Sequence, residues 1–231
     1  MFVQYLQLVT GFSALRAGLG LAPMGATLMV VSPGAAVLSR RIGMRPVLVT
    51  GLLLMAAGLL VVSQLDAHSS YAEASVAMIV LGLGLGLGMA PGTSAIVSAV
   101  PAAKRGVASA VNDATREVGA AIGIALFGSL LNAGYRDRVG AATDGLPAEA
   151  AAAVRGSLAA AAQVAEGQPD GAALMVAARD AFVHGMERSM LLGAVVITVA
   201  AVATLVIAPG KARERAERAS VAPIPLTDEA R

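Results

Sequence analysis

Three ionisable residues lie close together at the edge of an apolar stretch. Asp113, Arg116 and Glu117 are spaced by three and four residues, so on a helix they share one face and Arg116 can pair with either carboxylate. Ionisable groups within a membrane span tend to face a partner or a water-filled cavity, and a carboxylate there can carry a proton. The uncharged stretch begins only at Val118, so these residues could instead form a solvated helix end at the membrane surface. The sequence leaves both interpretations open.

Other side chains that could do chemistry are few. Gln4 and Gln7 lie in the apolar start of the chain, where they could contact a substrate or simply end a helix. His68 and His184 are far apart and lack metal-ligand spacing, and the chain has no Cys, which excludes disulfides and thiolate metal sites. No paired catalytic residues stand on the apolar stretches. We therefore expect no enzymatic activity, no metal and no cofactor.

Glycines spaced by four residues mark faces where another helix could approach closely. The run from Leu81 to Gly88 alternates Leu and Gly, but no Gly-Lys-Ser/Thr follows it, so we reject a nucleotide site. The alternatives are static helix packing and a sliding surface for a moving helix. The glycines concerned are Gly84, Gly88, Gly92, Gly119 and Gly123.

The elements that position these residues are transmembrane helices. The chain is 57% hydrophobic and 14% charged, against about 25% charged in an ordinary soluble domain. A membrane helix needs about 20 mostly apolar residues. The sequence therefore predicts an all-α, polytopic membrane bundle with about five full spans and a partial first span at Met1–Thr10, the end of a helix whose beginning is missing. The predicted spans are Ala17–Ser39, Pro46–Leu65, Ala74–Ala103, Val118–Tyr135 with a start near Gly106, and Ser189–Gly210.

Basic residues predict the orientation, because Lys and Arg stay on the cytoplasmic side. They fill the loop around Arg40, the loop at Lys104 and Arg105, and the segment after the last span, whereas the loop 66–73 holds none. We expect these three basic segments, and with them the C-terminus, in the cytoplasm of a multi-pass plasma-membrane protein. A net charge of only +2 gives no indication of nucleic-acid binding.

Two segments outside the spans complete the predicted organisation. Within the transmembrane region 1–210, the segment 132–188 should be extracytoplasmic and form two Ala-rich helices, about 147–164 and 171–186, separated by a turn at 166–170. The polar tail 211–231 should be a disordered cytoplasmic end.

Several short segments, taken in their order along the chain, form a pattern that can be compared with known families. They are Gln4-Tyr-Leu-Gln7, Gly11-Phe-Ser13, Ala17-Gly18, Pro23, Arg41-Ile-Gly-Met-Arg45, the stretch from Gly106 to Arg116, Gly119-Ala-Ala-Ile-Gly123 and the long segment before the last span. Together they resemble the C-terminal half of a major facilitator superfamily transporter, and among its branches the fourteen-span drug:proton antiporters of the EmrB/QacA type. The resemblance covers almost the whole chain.

This resemblance implies a secondary transporter that exports amphipathic small molecules in exchange for protons. It makes Asp113, Arg116 and Glu117 candidates for proton transfer or gating, and it implies a cytoplasmic gating loop at Arg40, Arg41, Gly43 and Arg45. In the family an Asp usually stands where this chain has Arg40, which puts a gating ion pair there in doubt. The implied partners are the bilayer, the substrate, protons, and the missing N-terminal half or a second copy. The alternative is a truncated membrane protein without transport of its own, which is a partner or a non-functional fragment.

Overall fold

The computed structural model describes residues 1–98, 100–208 and 210, and within them the chain is helical. The predicted tail 211–231 lies outside the described residues. The chain begins with the short helix α1 and a π-helical turn, Tyr5–Val9. The longer elements are α2 (Ala14–Leu19), α3 (Ala22–Ile42), α4 (Met44–Ser63), α5 (Tyr71–Ser98), α6 (Arg105–Val139), α7 (Ala148–Gly156), α8 (Leu158–Glu166) and α9 (Gly171–Ile207), with α1 at Phe2–Gln4.

Five of the described segments are long and apolar enough to cross a membrane, which confirms the prediction of an all-α polytopic bundle. They contain α2 with α3, then α4, α5, α6 and α9. Only Gly43 separates α3 from α4, and its φ of +100° is a conformation that glycine adopts without strain. The reversal of the chain between these two spans is therefore very tight.

The alternating Leu–Gly run places α5 between two neighbours. Residues four apart lie on one face of a helix, so the run carries two separate glycine stripes. One stripe faces α3, since a Cβ atom on Gly82 would lie 2.7 Å from the Met24 carbonyl oxygen. The other faces α4, since a Cβ atom on Gly84 would lie 2.6 Å from the Met55 backbone nitrogen. Helix α4 in turn packs against α9, and α9 against α6.

The helices α7 and α8 and the first part of α9, residues 171–188, form a helical cap over one end of the bundle, here called the cap end. Tyr135 near the end of α6 is buried beneath the cap and donates a hydrogen bond of 2.8 Å to the Val154 carbonyl. The predicted helix 147–164 is in fact two helices, because Ser157 is extended (φ −169°, ψ 155°) and its side chain accepts from the Ala160 N–H. Such a capping side chain begins a new helix.

The last two long helices exceed the thickness of a membrane. Helix α6 has 35 residues and α9 has 37, which correspond to about 52 and about 55 Å, against roughly 30 Å of hydrocarbon. The second predicted cap helix is therefore not separate but continuous with the last span. Where α6 and α9 cross near the cap end, a Cβ atom on Gly134 would lie 2.8 Å from the Cα atom of Gly185.

Most buried side chains lie at the cap end. They include Tyr5 and Leu6 of the N-terminal turn, Met78 of α5, and Phe182 and Met186 of α9. The opposite end holds the α3–α4 link, the start of α6 and the end of α9, and is here called the arginine end. Fewer and smaller side chains are buried toward that end, among them Ala35, Val47 and Ala201.

Candidate functional site

The part of α6 that lies toward the arginine end, residues 105–126, is uncovered almost all round. Val118 and Ile122 are about 60% exposed and Ile124 is 75% exposed. Helix α6 contacts α9 nearer the cap, where the Ser189 hydroxyl donates a hydrogen bond of 3.1 Å to the Phe127 carbonyl. A span in a bundle normally buries one face. This stretch is therefore a surface that the described part of the chain leaves open to lipid, water or another protein segment.

The structure brings Asp113 and Arg116 together on this open surface. Their side chains approach to 3.9 Å and are 65% and 57% exposed, respectively. Glu117 is exposed on the same stretch, and no ion pair of Glu117 occurs within the described residues. An ion pair as exposed as this one contributes about 0–1 kcal/mol. Its contribution to the stability of this chain is small, and whether it carries protons or gates a path stays a prediction.

Asn112, next to the pair, has a less expected environment. Its Nδ2 atom is buried and has no hydrogen-bond partner in the part of the chain that the structure describes. A buried amide donor without an acceptor costs about 1–3 kcal/mol. From the sequence, Asn112 entered only as part of the stretch from Gly106 to Arg116 and was given no role. A polar residue one position before a charged cluster is a signal that could have suggested one.

The predicted gating loop lies at the arginine end and contacts the last helix. Arg45 donates from Nη2 to the Leu205 carbonyl in the final turn of α9. The last carbonyls of a helix lack intrahelical partners, and a cation near them is favourable. Arg40 is exposed and donates 3.3 Å to the Ala36 carbonyl of its own helix, while Arg41 is exposed. Arg45 thus ties the α3–α4 link to the end of α9, a contact across 160 residues that no local pattern could indicate.

The two predicted substrate-path residues flank buried neighbours in the N-terminal turn. Gln4 is exposed and Gln7 half-buried. Between them Tyr5 is fully buried, and its hydroxyl donates a hydrogen bond of 2.7 Å to the Asp66 carbonyl. Arg179 of the cap donates 3.1 Å to the Leu8 carbonyl. These bonds hold the N-terminal turn against the cap end of the bundle, and contact of the glutamines with a substrate stays a prediction.

The five glycines singled out as packing residues have different surroundings. Gly84 is in tight contact with α4, and Gly88 adjoins the same contact, since a Cβ atom on Gly51 would lie 3.1 Å from its nitrogen. A Cβ atom on Gly92 would lie 3.8 Å from Leu48, and one on Gly123 would meet only Phe127 of its own helix at 3.9 Å. On Gly119 it would meet no described atom within 4 Å. Gly119 and Gly123 thus lie on the open stretch of α6.

In the described residues, no three His, Cys, Asp or Glu side chains converge on a position suited to a metal ion. The arrangement consists instead of apolar spans, a largely uncovered helix with an ionisable face, and basic short loops at one end. These features define a polytopic helical membrane protein with one side of its bundle uncovered.

Comparison with known proteins narrows that class. The sequence pattern of the Major Facilitator Superfamily matches residues 1–137, more than half of the chain. The chain belongs to this superfamily of transporters. It is 34% identical over 200 residues to the multidrug efflux pump LfrA of Mycolicibacterium smegmatis. The aligned region covers 86% of this chain and 40% of LfrA.

Two further relatives have names of the same kind. The methyl viologen resistance protein SmvA of Salmonella typhimurium is 33% identical over 185 residues, 79% of this chain and 37% of the relative. The tetracenomycin C resistance and export protein of Streptomyces glaucescens is 35% identical over 127 residues, 55% of this chain and 24% of the relative. The chain spans at most about 40% of the length of these relatives.

Proposed function

We propose that this chain forms the C-terminal half of a drug exporter that exchanges amphipathic compounds for protons across the plasma membrane. The observation that carries the proposal is the uncovered stretch of α6 with its Asp113–Arg116 pair and Glu117, in a chain of the Major Facilitator Superfamily. The names of the relatives support efflux of drugs as the kind of transport. The arginine end is the cytoplasmic end in this proposal.

The uncovered stretch has a natural place in such an exporter. In this superfamily two halves related by an axis along the membrane normal enclose a site near the bilayer midplane. A second half, or a second copy, would cover the face of α6 that carries the Asp113–Arg116 pair and remove the pair from water. Taking a partner from a buried ion pair costs about 3–5 kcal/mol, against about 0–1 kcal/mol for an exposed pair. Arg116 would then be essential in the complete transporter while contributing little in this chain.

A chimaera tests the proposal. The matched segment of LfrA is replaced by this chain, and proton-driven movement of a fluorescent cationic dye is measured in everted membrane vesicles. We expect the chimaera to move dye, and this chain alone to move none. Arg116→Ala should abolish movement, and Asp113→Asn or Glu117→Gln should shift its pH dependence. Arg138→Ala, an exposed position near the cap end of the same helix, is the matched control.

Three results would contradict parts of the proposal. A chimaera that inserts and folds but moves no dye would argue against this chain as half of an exporter. Normal movement by all three variants with unchanged pH profiles would make the charged face a solvated helix end. Uncoupler-sensitive dye movement by this chain alone would favour a homodimer as the transporter.

A further inference from the structure

A groove opens at the arginine end between α5 and α6, about two turns before Asp113 on α6. It has a volume of about 460 Å³, and the described residues that line it are Thr93, Ser94, Val97 and Arg105. It is bounded by the last turns of α5 and the first turn of α6. The end of a membrane span lies at the level of the lipid headgroups, so the groove is within reach of a headgroup.

The charge of the groove has one sign. Arg105 lines it directly and Lys104, exposed, is its neighbour in the chain. No acidic residue belongs to the described lining, and the next acid along α6 is Asp113, about two turns further on. Thr93 and Ser94 add two hydroxyl groups. A guanidinium and two hydroxyls recognise an anion with several acceptor oxygens, such as a phosphate.

The surroundings of the groove favour an anion that carries apolar chains. Val97 lines it, and Met89 and Ile96, four residues before and three after Thr93 on α5, are exposed large apolar side chains. Asn112 lies seven residues after Arg105, on the same helix face, and its buried Nδ2 atom lacks an acceptor. A mostly apolar groove at a helix end, lined by an arginine and two hydroxyl-bearing residues, has the form of a phospholipid site.

We propose that this groove binds the headgroup of an anionic phospholipid. The lipid phosphate pairs with Arg105 and accepts hydrogen bonds from Thr93 and Ser94, and Lys104 adds attraction without direct contact. The acyl chains lie along the apolar side chains of α5, Val97, Met89 and Ile96. This site is independent of the direction of transport and of Asp113, Arg116 and Glu117.

Thermal unfolding of the purified chain in a neutral detergent tests the site. Short-chain phosphatidylglycerol, the zwitterionic phosphatidylcholine of equal chain length, and inorganic phosphate are titrated in parallel. We expect phosphatidylglycerol to raise Tm with saturation, and the other two to have little effect at equal concentration. Arg105→Gln should weaken the apparent affinity for phosphatidylglycerol about tenfold, the loss of one charge-assisted contact.

Two controls keep the result interpretable. Arg138→Gln removes a positive charge near the cap end of the same helix and should leave the affinity unchanged. If Arg105→Gln does not fold, the double variant Thr93→Val, Ser94→Ala replaces it and should also weaken binding. Equal affinity of wild type and Arg105→Gln, or an equal Tm rise with phosphatidylcholine, overturns the proposal. An equal rise in Tm with inorganic phosphate overturns the assignment of a lipid ligand and indicates a site for free anions.

Discussion

The contact between α4 and α5 allows a sharp test of close helix packing, because two neighbouring glycines differ in what a methyl group would meet. A Cβ atom on Gly84 would lie 2.6 Å from the Met55 backbone nitrogen and 2.7 Å from the Gly51 carbonyl oxygen. Both obstacles are backbone atoms, so the helices must separate to admit it. A Cβ atom on Gly88, one turn along the same stripe, would meet no described atom within 4 Å.

Two opposing terms set the size of the effect. Replacing a helical glycine by alanine favours the helix by about 1 kcal/mol, and this gain applies at both positions. Forcing an extra methyl group into a packed contact costs about 1–3 kcal/mol, and this cost applies only at Gly84. We therefore expect Gly88→Ala to stabilise the protein by about 1 kcal/mol. Gly84→Ala should be less stable than Gly88→Ala by about 1–3 kcal/mol.

Thermal unfolding of the two variants in one detergent measures this difference. For a chain of 231 residues, 1 kcal/mol corresponds to about 2–4 °C in Tm, so the two variants should differ by about 2–12 °C. Cross-linking between cysteines placed on α4 and α5 would show whether the helices have separated. If Gly84→Ala is as stable as Gly88→Ala, the two backbones do not approach as closely as the structure has them.

Three further variants or conditions test contacts outside the charged face. Tyr135→Phe leaves the Val154 carbonyl without its donor and should cost about 1–2 kcal/mol of unfolding free energy, whereas the exposed Tyr71→Phe should cost little. Arg45→Gln removes a charged donor from the last turn of α9, so hydrogen exchange at residues 204–207 should accelerate about tenfold, and Arg40→Gln, whose bond stays within α3, should not change it. The backbone N–H of His68 and the hydroxyl of Ser69 donate to the Asp66 carboxylate and hold its pKa below the ordinary value. The stability of this turn should therefore fall only as the pH drops from about 4 through that lowered pKa. In an NMR titration, the chemical shift of the Asp66 carboxyl group should stay constant at and above neutral pH.

The spans could be predicted because hydrocarbon imposes a length and a composition that are visible along the chain. The predicted stretch 46–65 and the helix Met44–Ser63 differ by two residues at each end. The start of α6 was also predicted within one residue, near Gly106. In these cases the signal is local, and the bilayer rather than the rest of the protein determines the outcome.

Boundaries that depend on a single residue or on a distant contact were predicted less well. The Ala-rich segment after Pro147 has high helix propensity throughout, so propensity gave no reason to break it at Ser157. The sequence changes from charged to apolar near residue 188, and this change was interpreted as the boundary between a cap helix and a span. A helix can pass from water into lipid without interruption, and α9 does so. The Leu–Gly run indicated one glycine face, whereas the period of two produces two faces and places α5 between α3 and α4.

The direction of the bundle in the membrane can be tested with one pair of labels, because contacts across the chain tie each end together. Arg45 joins the α3–α4 link to the end of α9, while Tyr5 joins the N-terminal turn to the loop at Asp66. Ser70 lies in that loop at the cap end, and Ala103 lies between α5 and α6 at the arginine end. The chain has no native Cys, so Ser70→Cys and Ala103→Cys can be labelled singly without background.

A membrane-impermeant maleimide added to intact cells should react with Cys at position 70 and not at position 103, because basic residues stay on the cytoplasmic side. Permeabilised cells, in which both positions should react, control for burial, since both residues are exposed. Labelling of position 103 alone in intact cells would reverse the whole bundle and place the cap in the cytoplasm. Labelling of both would indicate a mixture of orientations. A bundle with Lys and Arg in the short loops at one end and none in the loop 66–73 should not adopt such a mixture.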